Sequence, residues 1–168
     1  MDDGKESLWR NVEVGDKLKD YKVKCWKSDD DKHRYKLKIG LINSNPTKEI
    51  LVIMINPSIA DQNKPDPTCK ALINLCDFNQ YNSITICNLF SLIEPKMEKF
   101  NEFVKTNTAN DGLSNNKLKE CIKEFDKVIC AWGAGAKLKD RNTYNNRILE
   151  IHESLGDKEL IKFGGEDE

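Results

Sequence analysis

From Tyr21 the chain alternates with a period of two. Tyr21, Val23 and Cys25 fall on one face of an extended segment with Lys22 and Lys24 on the other, and Tyr35, Leu37 and Ile39 repeat the scheme against Lys36 and Lys38. Ser28-Asp29-Asp30-Asp31 lies between them as a turn, so residues 17–43 are predicted to form a β-hairpin with an apolar face and a lysine face. Residues 1–16 show little patterning and are expected to be a loose lead-in. The strongest apolar run is Ile50-Leu-Val-Ile-Met-Ile55, mostly branched and without polar alternation, which predicts a strand buried on both faces. Pro57 fixes its own φ, removes a donor and biases Asn56 away from helix, so the strand stops there.

Beyond that stop the pattern switches between helical and extended periods. Residues 61–68 are too rich in proline for regular structure, and Asp66-Pro67 reads as an N-cap followed by proline at the first helical position. Cys69, Leu72, Ile73 and Cys76 then recur at helical spacing, ending near Asn79. Residues 83–90 form a β-branched strand containing Asn88 and Phe90. Residues 96–116 resist assignment apart from a turn at Asn110-Asp111-Gly112, after which Ser114 or Asn115 caps a helix carrying Leu118, Cys121, Ile122 and Phe125. A third buried strand is predicted over 128–132, a helix over 143–155 and a short strand over 159–163.

Strand and helix thus alternate three times after the hairpin. This predicts a single α/β domain over 1–168, a three-layer sandwich whose mainly parallel four-stranded sheet occupies 50–165, with the hairpin added at the N-terminus. In such a sheet all strand carboxyl ends share one edge, where ligands bind. That edge gathers Asn56, Pro57, Ser58 and Asp61, then Asn88, then Trp132 and Gly133, then Gly164. Asn56 is a candidate to hold water or a base edge, and Asp61, Asp66 and Asp111 are candidates for acid, base or charge stabiliser. Equally, these side chains satisfy turn backbone.

The glycine-rich stretch 132–137 lacks the Walker spacing, and Leu138 stands where a magnesium-binding hydroxyl would be needed. It is a strand-to-loop turn or a backbone anion site, with Lys137, Arg141 and Arg147 adding positive charge. No Gly-x-Gly-x-x-Gly follows the first parallel strand. His33 and His152 have no sequence neighbour that marks a catalytic triad. The six cysteines all lie in apolar periodic segments without a Cys-x-x-Cys, which describes small buried hydrophobes. No metal or cofactor is expected.

Composition narrows the surroundings. With 33% charged residues against 38% hydrophobic, and no apolar run of membrane-spanning length, a soluble cytoplasmic chain is expected, with no membrane partner. The net charge of −1 hides a segregation: nine Lys or Arg against four Asp in residues 17–38, and seven acids against two lysines in 150–168. A basic face at one end permits a nucleic-acid partner without requiring one. The hairpin lysines either shield a sheet edge or meet phosphates.

Asn56-Pro57-Ser58 with Ala60-Asp61, then Asp66-Pro67-Thr68, Asn88-Leu89-Phe90, Asn110-Asp111, and Ala131-Trp132-Gly133 with Arg141, in that order, resemble the domain-of-unknown-function family numbered 1643, found in bacteria, phages and archaea. The resemblance runs from about Tyr35 onward and brings no established activity. Two features depart from the family pattern: Ser91-Leu-Ile-Glu-Pro95 stands where an arginine usually follows Asn-Leu-Phe, and no Gly-x-Pro-x-His-Pro-Leu segment follows the last strand. The strand leading into Asn-Pro-Ser is also distantly similar to the Gly-x-Asn-Pro-Gly motif of mismatch-specific uracil-DNA glycosylases. That similarity implies a uracil-DNA-glycosylase-like sheet, with a flavodoxin-like one as the alternative. It also implies that Asn56 orients water toward a flipped nucleotide, that Asn88 reads the base edge and that the lysine hairpin meets phosphates. The competing expectation is a non-catalytic protein that binds a nucleotide or nucleoside metabolite, as a phage or defence-associated sensor or sponge. The missing His-Pro segment favours it.

Overall fold

In a computed structural model, residues 4–44, 48–133 and 138–161 are described. They form a seven-stranded sheet with four helices, in the strand order β1-β2-β3-β5-β4-β6-β7. The central strand is β4 (Glu49–Met54), whose Ile50, Leu51, Val52 and Ile53 are all fully buried, which is why its sequence shows no alternation. It pairs in parallel with β5 (Ser83–Asn88) on one side and with β6 (Lys127–Cys130) on the other, and β6 pairs in parallel with β7 (Glu159–Ile161). These four strands are the predicted parallel sheet, and their carboxyl ends lie on one edge.

The sheet is larger than four strands with an appended hairpin. Strands β2 (Lys17–Lys27) and β3 (Arg34–Leu41) form the predicted hairpin, but β3 also pairs antiparallel with β5, Leu37 opposite Ile86, so the hairpin continues the sheet. The expected loose lead-in is instead strand β1 (Lys5–Val14), paired antiparallel with β2. Its buried apolar positions are Trp9, Val12 and Val14, and a register shift between Trp9 and Val12 breaks the period of two. Asn11 takes a positive φ of 54° there, and its N–H donates to Asp20 at 2.8 Å. A bulge of this kind hides a strand from any search for alternation.

Helix α1 (Pro67–Phe78) is capped by Asp66, whose side chain accepts from the N–H of Cys69, and Pro67 occupies the first turn. It packs Cys69, Ile73 and Cys76 on one sheet face, with Trp9, Tyr21, Val23, Leu37, Ile50 and Ile84. The other face carries α2 (Met97–Lys105), α3 (Ser114–Lys123) and α4 (Arg141–Leu155), packed over Leu51, Ile53, Cys87 and Val128. The unassigned stretch 96–116 thus contains α2, a nine-residue helix that buries only Phe100, Asn101 and Val104. Met97, Phe100 and Val104 do stand at helical spacing, so the signal is present, but it covers only one nine-residue stretch between Pro95 and the turn at Asn110. Elsewhere the boundaries shift slightly: β5 ends at Asn88, β6 ends at Cys130 and α4 begins at Arg141, capped by Asp140.

From β4 the chain passes through α1 to β5 on one side, then crosses over β4 to β6 on the other. The strand order therefore reverses between β4 and β6. Asn56 follows the first of these strands and Trp132 the second, so both stand at the position where open α/β sheets bind ligands.

Candidate functional site

The carboxyl-end rim is built around the segment that leaves β5, residues 88–94. Leu89 and Phe90 donate their N–H groups to the carbonyls of Met54 and Ile55, which ties this exit to that of β4. Arg147 of α4 donates Nε–H to the Leu89 carbonyl at 2.7 Å, and Asn110 accepts the Ser91 N–H at 2.9 Å. The hairpin turn closes from the other side: the N–H of Arg34 donates to the Ser91 carbonyl, and that of Ile93 to the carbonyl of Lys32. Asn56 completes the grip, its Nδ2 donating to the carbonyls of Glu94 (2.9 Å) and Pro57 (3.1 Å). Residues expected as independent ligand contacts thus share one frame.

Each candidate has a definite place in it. Asn56 and Asn88 sit on adjacent strand ends, Asn88 in register with Met54, but their amides serve different partners. Asn88 is 6% exposed, and its Oδ1 accepts from the Arg34 guanidinium at 3.4 Å. Ser58 donates its hydroxyl to Asp66, the α1 cap, and Pro57 is buried. Asp61 lies half-buried with Oδ2 3.6 Å from Lys27 Nζ, its Oδ1 accepting the N–H of Asn63. Phe90 is buried edge-on against Phe100, with ring centroids 5.7 Å apart, so it is a core residue. The carbonyl of Gly133 accepts from the Tyr144 hydroxyl at 2.7 Å and that of Trp132 at 3.2 Å. Arg141 is the exposed first residue of α4, and Lys137, with Gly164, lies outside the described residues.

Two features had no sequence signal beyond residue type. Arg34 is 3% exposed and donates to the Ala60 carbonyl at 2.6 Å as well as to Asn88, so it pins the loop after Asn56 to the end of β5. The turn into β3 makes this possible. Lys27 pairs with Arg34 and Trp26 with Lys36, leaving Tyr35 as the extra residue of a bulge, and its hydroxyl reaches Asp111 on the other side of the sheet. The second feature is a run of hydroxyls. His33 Nδ1 lies 2.7 Å from Ser91 Oγ, which lies 2.6 Å from Ser114 Oγ, which donates to Asp111 Oδ1 at 2.7 Å. Ser91 stands 58 residues from His33, too far for local spacing to pair them.

Burial pushes the Asp111 carboxyl up, but hydrogen bonds from Tyr35, Ser114 and the Leu113 N–H outweigh it and hold the group below its ordinary value. Burial, then the Asp111 bond, pushes the Tyr35 phenol well up. Cys69, beside the Asp66 cap, is pushed up to about 12 by burial and then by that carboxylate. Among the described residues no group of His, Cys, Asp and Glu is arranged to hold a metal ion, and no helix is long and apolar enough to cross a membrane.

The fold and the rim define an α/β protein with polar side chains at the carboxyl-end switch point of a mixed sheet. The chain belongs to the family described as a protein of unknown function, DUF1643, whose model matches residues 34–164. The match opens at Arg34, so β1 and β2 lie outside it. No curated protein matches the chain.

Proposed function

We propose that the protein recognises a nucleobase or nucleotide at this rim, and that Asn56 orients a water toward an N-glycosidic bond. The supporting observation is the way Asn56 is held. Both partners of its Nδ2 are carbonyl oxygens, so the nitrogen must face them, and Oδ1 is turned the other way as a fixed acceptor. A fixed acceptor takes one proton of a water and aims the opposite lone pair. Asp61 supplies a carboxylate that can stabilise a cationic sugar, held in place by Lys27 Nζ 3.6 Å away.

The alternative reading is recognition without chemistry. Asn88 favours it by weakening the catalytic reading, which assigns this residue to the base edge although its Oδ1 is buried on Arg34. The deciding experiment offers the purified protein uracil-containing, mismatched and modified DNA together with a panel of free nucleotides. Base release that disappears in Asn56→Ala supports the catalytic reading. A large upward shift in melting temperature with one nucleotide, and no turnover, supports binding alone. Neither release nor a shift removes both.

A further inference from the structure

A second concave site lies away from the rim. Lys22 and Lys24 of β2 and Lys36 and Lys38 of β3 project from the sheet face opposite Val23, Cys25, Leu37 and Ile39. That face of the hairpin is outside the core formed by α2, α3 and α4, which draws its strand residues from β4, β5 and β6. Here the four lysines, Glu6, Trp26, Gly40 and Ser83 line a cavity of about 490 Å³. Gly40 pairs with Ser83, the first residue of β5, so the cavity reaches toward the amino end of the parallel strands.

Edge protection does not explain these lysines. The edge strand is β1, whereas β2 and β3 are interior. Lys24 and Lys38 stand directly opposite one another, an arrangement that weakens a sheet. Lys24 and Lys36 are also drawn in, their ammonium groups 5.3 and 5.1 Å from the centroid of Trp26, with side chains only 19% and 20% exposed. Among the described residues Glu6 touches Lys22 and Lys24, Glu124 touches Lys36, and Glu49 touches Lys38. Of these carboxylates Glu6 lines the cavity, and Glu49 and Glu124 lie outside its lining.

The floor supplies an independent sign. Ser83 is 1% exposed, lines the cavity, and its hydroxyl has no hydrogen-bond partner among the described residues. Buried hydroxyls are ordinarily paired. Beside it Gly40 leaves room: a Cβ placed there would come no closer than 4.0 Å to the Lys22 carbonyl or Ser83 Oγ. A side chain at 40 would fit, and would fill the floor.

We infer that this cavity binds a phosphate ester of nucleotide size, its oxygens taken by the lysine ammonium groups and the Ser83 hydroxyl. Converging ammonium groups suit a multiply charged oxyanion, and the volume falls within the usual range for small-ligand pockets. Trp26 holds two of the ammonium groups in place through its ring face. The phosphate can belong to a free nucleotide or to a nucleic-acid strand.

Calorimetric titration at low ionic strength with adenosine monophosphate and with a short oligothymidylate tests this. Saturable binding is expected with a dissociation constant below about 1 mM, weakening as salt rises. Lys38→Met should lower affinity by about tenfold, and Gly40→Val should abolish binding while leaving the melting temperature near that of the parent. The tighter of the two probes identifies the source of the phosphate. Asn56→Ala, at the far end of the sheet, should bind unchanged, so failure at the rim does not touch this site. Absence of saturable binding by either probe would overturn the inference, as would unaltered binding in folded Gly40→Val and Lys38→Met.

Discussion

His33 Nδ1 and Ser91 Oγ, 2.7 Å apart, are the first link of a hydrogen-bonded run whose direction is fixed by its far end. Asp111 only accepts, so Ser114 must donate its hydroxyl proton there. Ser114 Oγ then accepts from Ser91, and Ser91 Oγ accepts in turn from His33 Nδ1–H. The imidazole therefore carries a proton on Nδ1. The run also ties the hairpin turn to the segment leaving β5 and to the start of α3.

Removing the middle of that run has a calculable cost. Ser91→Ala strands the Nδ1–H of His33 and takes a donor from buried Ser114, so unfolding in urea should show a loss of about 1–3 kcal/mol. Nitrogen NMR should report a proton on Nδ1 of His33 in the parent protein. Asp111→Asn should weaken that preference, because an amide at 111 can offer Ser114 a donor.

The same aspartate sets a pH dependence. Its carboxyl lies below the ordinary value in the folded chain, so its contribution is full above the unfolded value of about 3.9 and is lost as pH falls through the folded value. Denaturation midpoints should fall as pH drops below about 4. Asp111→Asn should be less stable than the parent near neutral pH, with a shallower decline in acid. Parallel acid curves for the two proteins would show that Asp111 does not carry this dependence.

How much of this was legible in the sequence depended on the range of the interactions. Strand β4 announced itself through an unbroken apolar run, and α1 through Asp66-Pro67 followed by Cys69, Leu72, Ile73 and Cys76, because both signals are local. Strand β1 did not, since its bulge at Asn11 breaks the alternation, and the place of the hairpin within the sheet depended on a pairing of Leu37 with Ile86. At the rim the motif positions were visible but their duties were not. Asn56 and Asn88 look alike in sequence, yet one is turned by two backbone carbonyls and the other is buried against Arg34. Arg34, His33 and Ser91 entered the site only through contacts with residues 26 to 58 positions away.

Arg34 provides the third prediction. Among the described residues its guanidinium meets a carbonyl and an amide oxygen rather than a carboxylate, so its charge is buried for what it holds: the Ala60 end of the loop and Asn88. Arg34→Met keeps most of the stem but leaves both acceptors without this donor. Stability should fall by about 1–3 kcal/mol, and limited proteolysis should cut between residues 57 and 65 sooner than in the parent. A stability loss with an unchanged cleavage pattern would mean that Arg34 supports the core without organising this loop.

The cysteines give the last test, through chemistry that only the folded state suppresses. Cys25, Cys69, Cys76, Cys87 and Cys121 are buried, and Cys130 is half-buried. Thiolate is the reactive form, and burial pushes the thiols of Cys76 and Cys130 up to about 11. The Cys87 thiol is pushed well up by its contact with Cys121, 3.0 Å away, and by burial. A raised thiol value adds stability that is present below the unfolded value and lost as pH rises through the folded one. Ellman's reagent at pH 8 should therefore label at most Cys130 in the native protein, and slowly, whereas in guanidinium chloride all six thiols should react. Rapid native labelling of Cys87 or Cys121 would mean that α3 lifts from the sheet. Since α3 begins at Ser114, the hydroxyl run from His33 would then be open for part of the time as well.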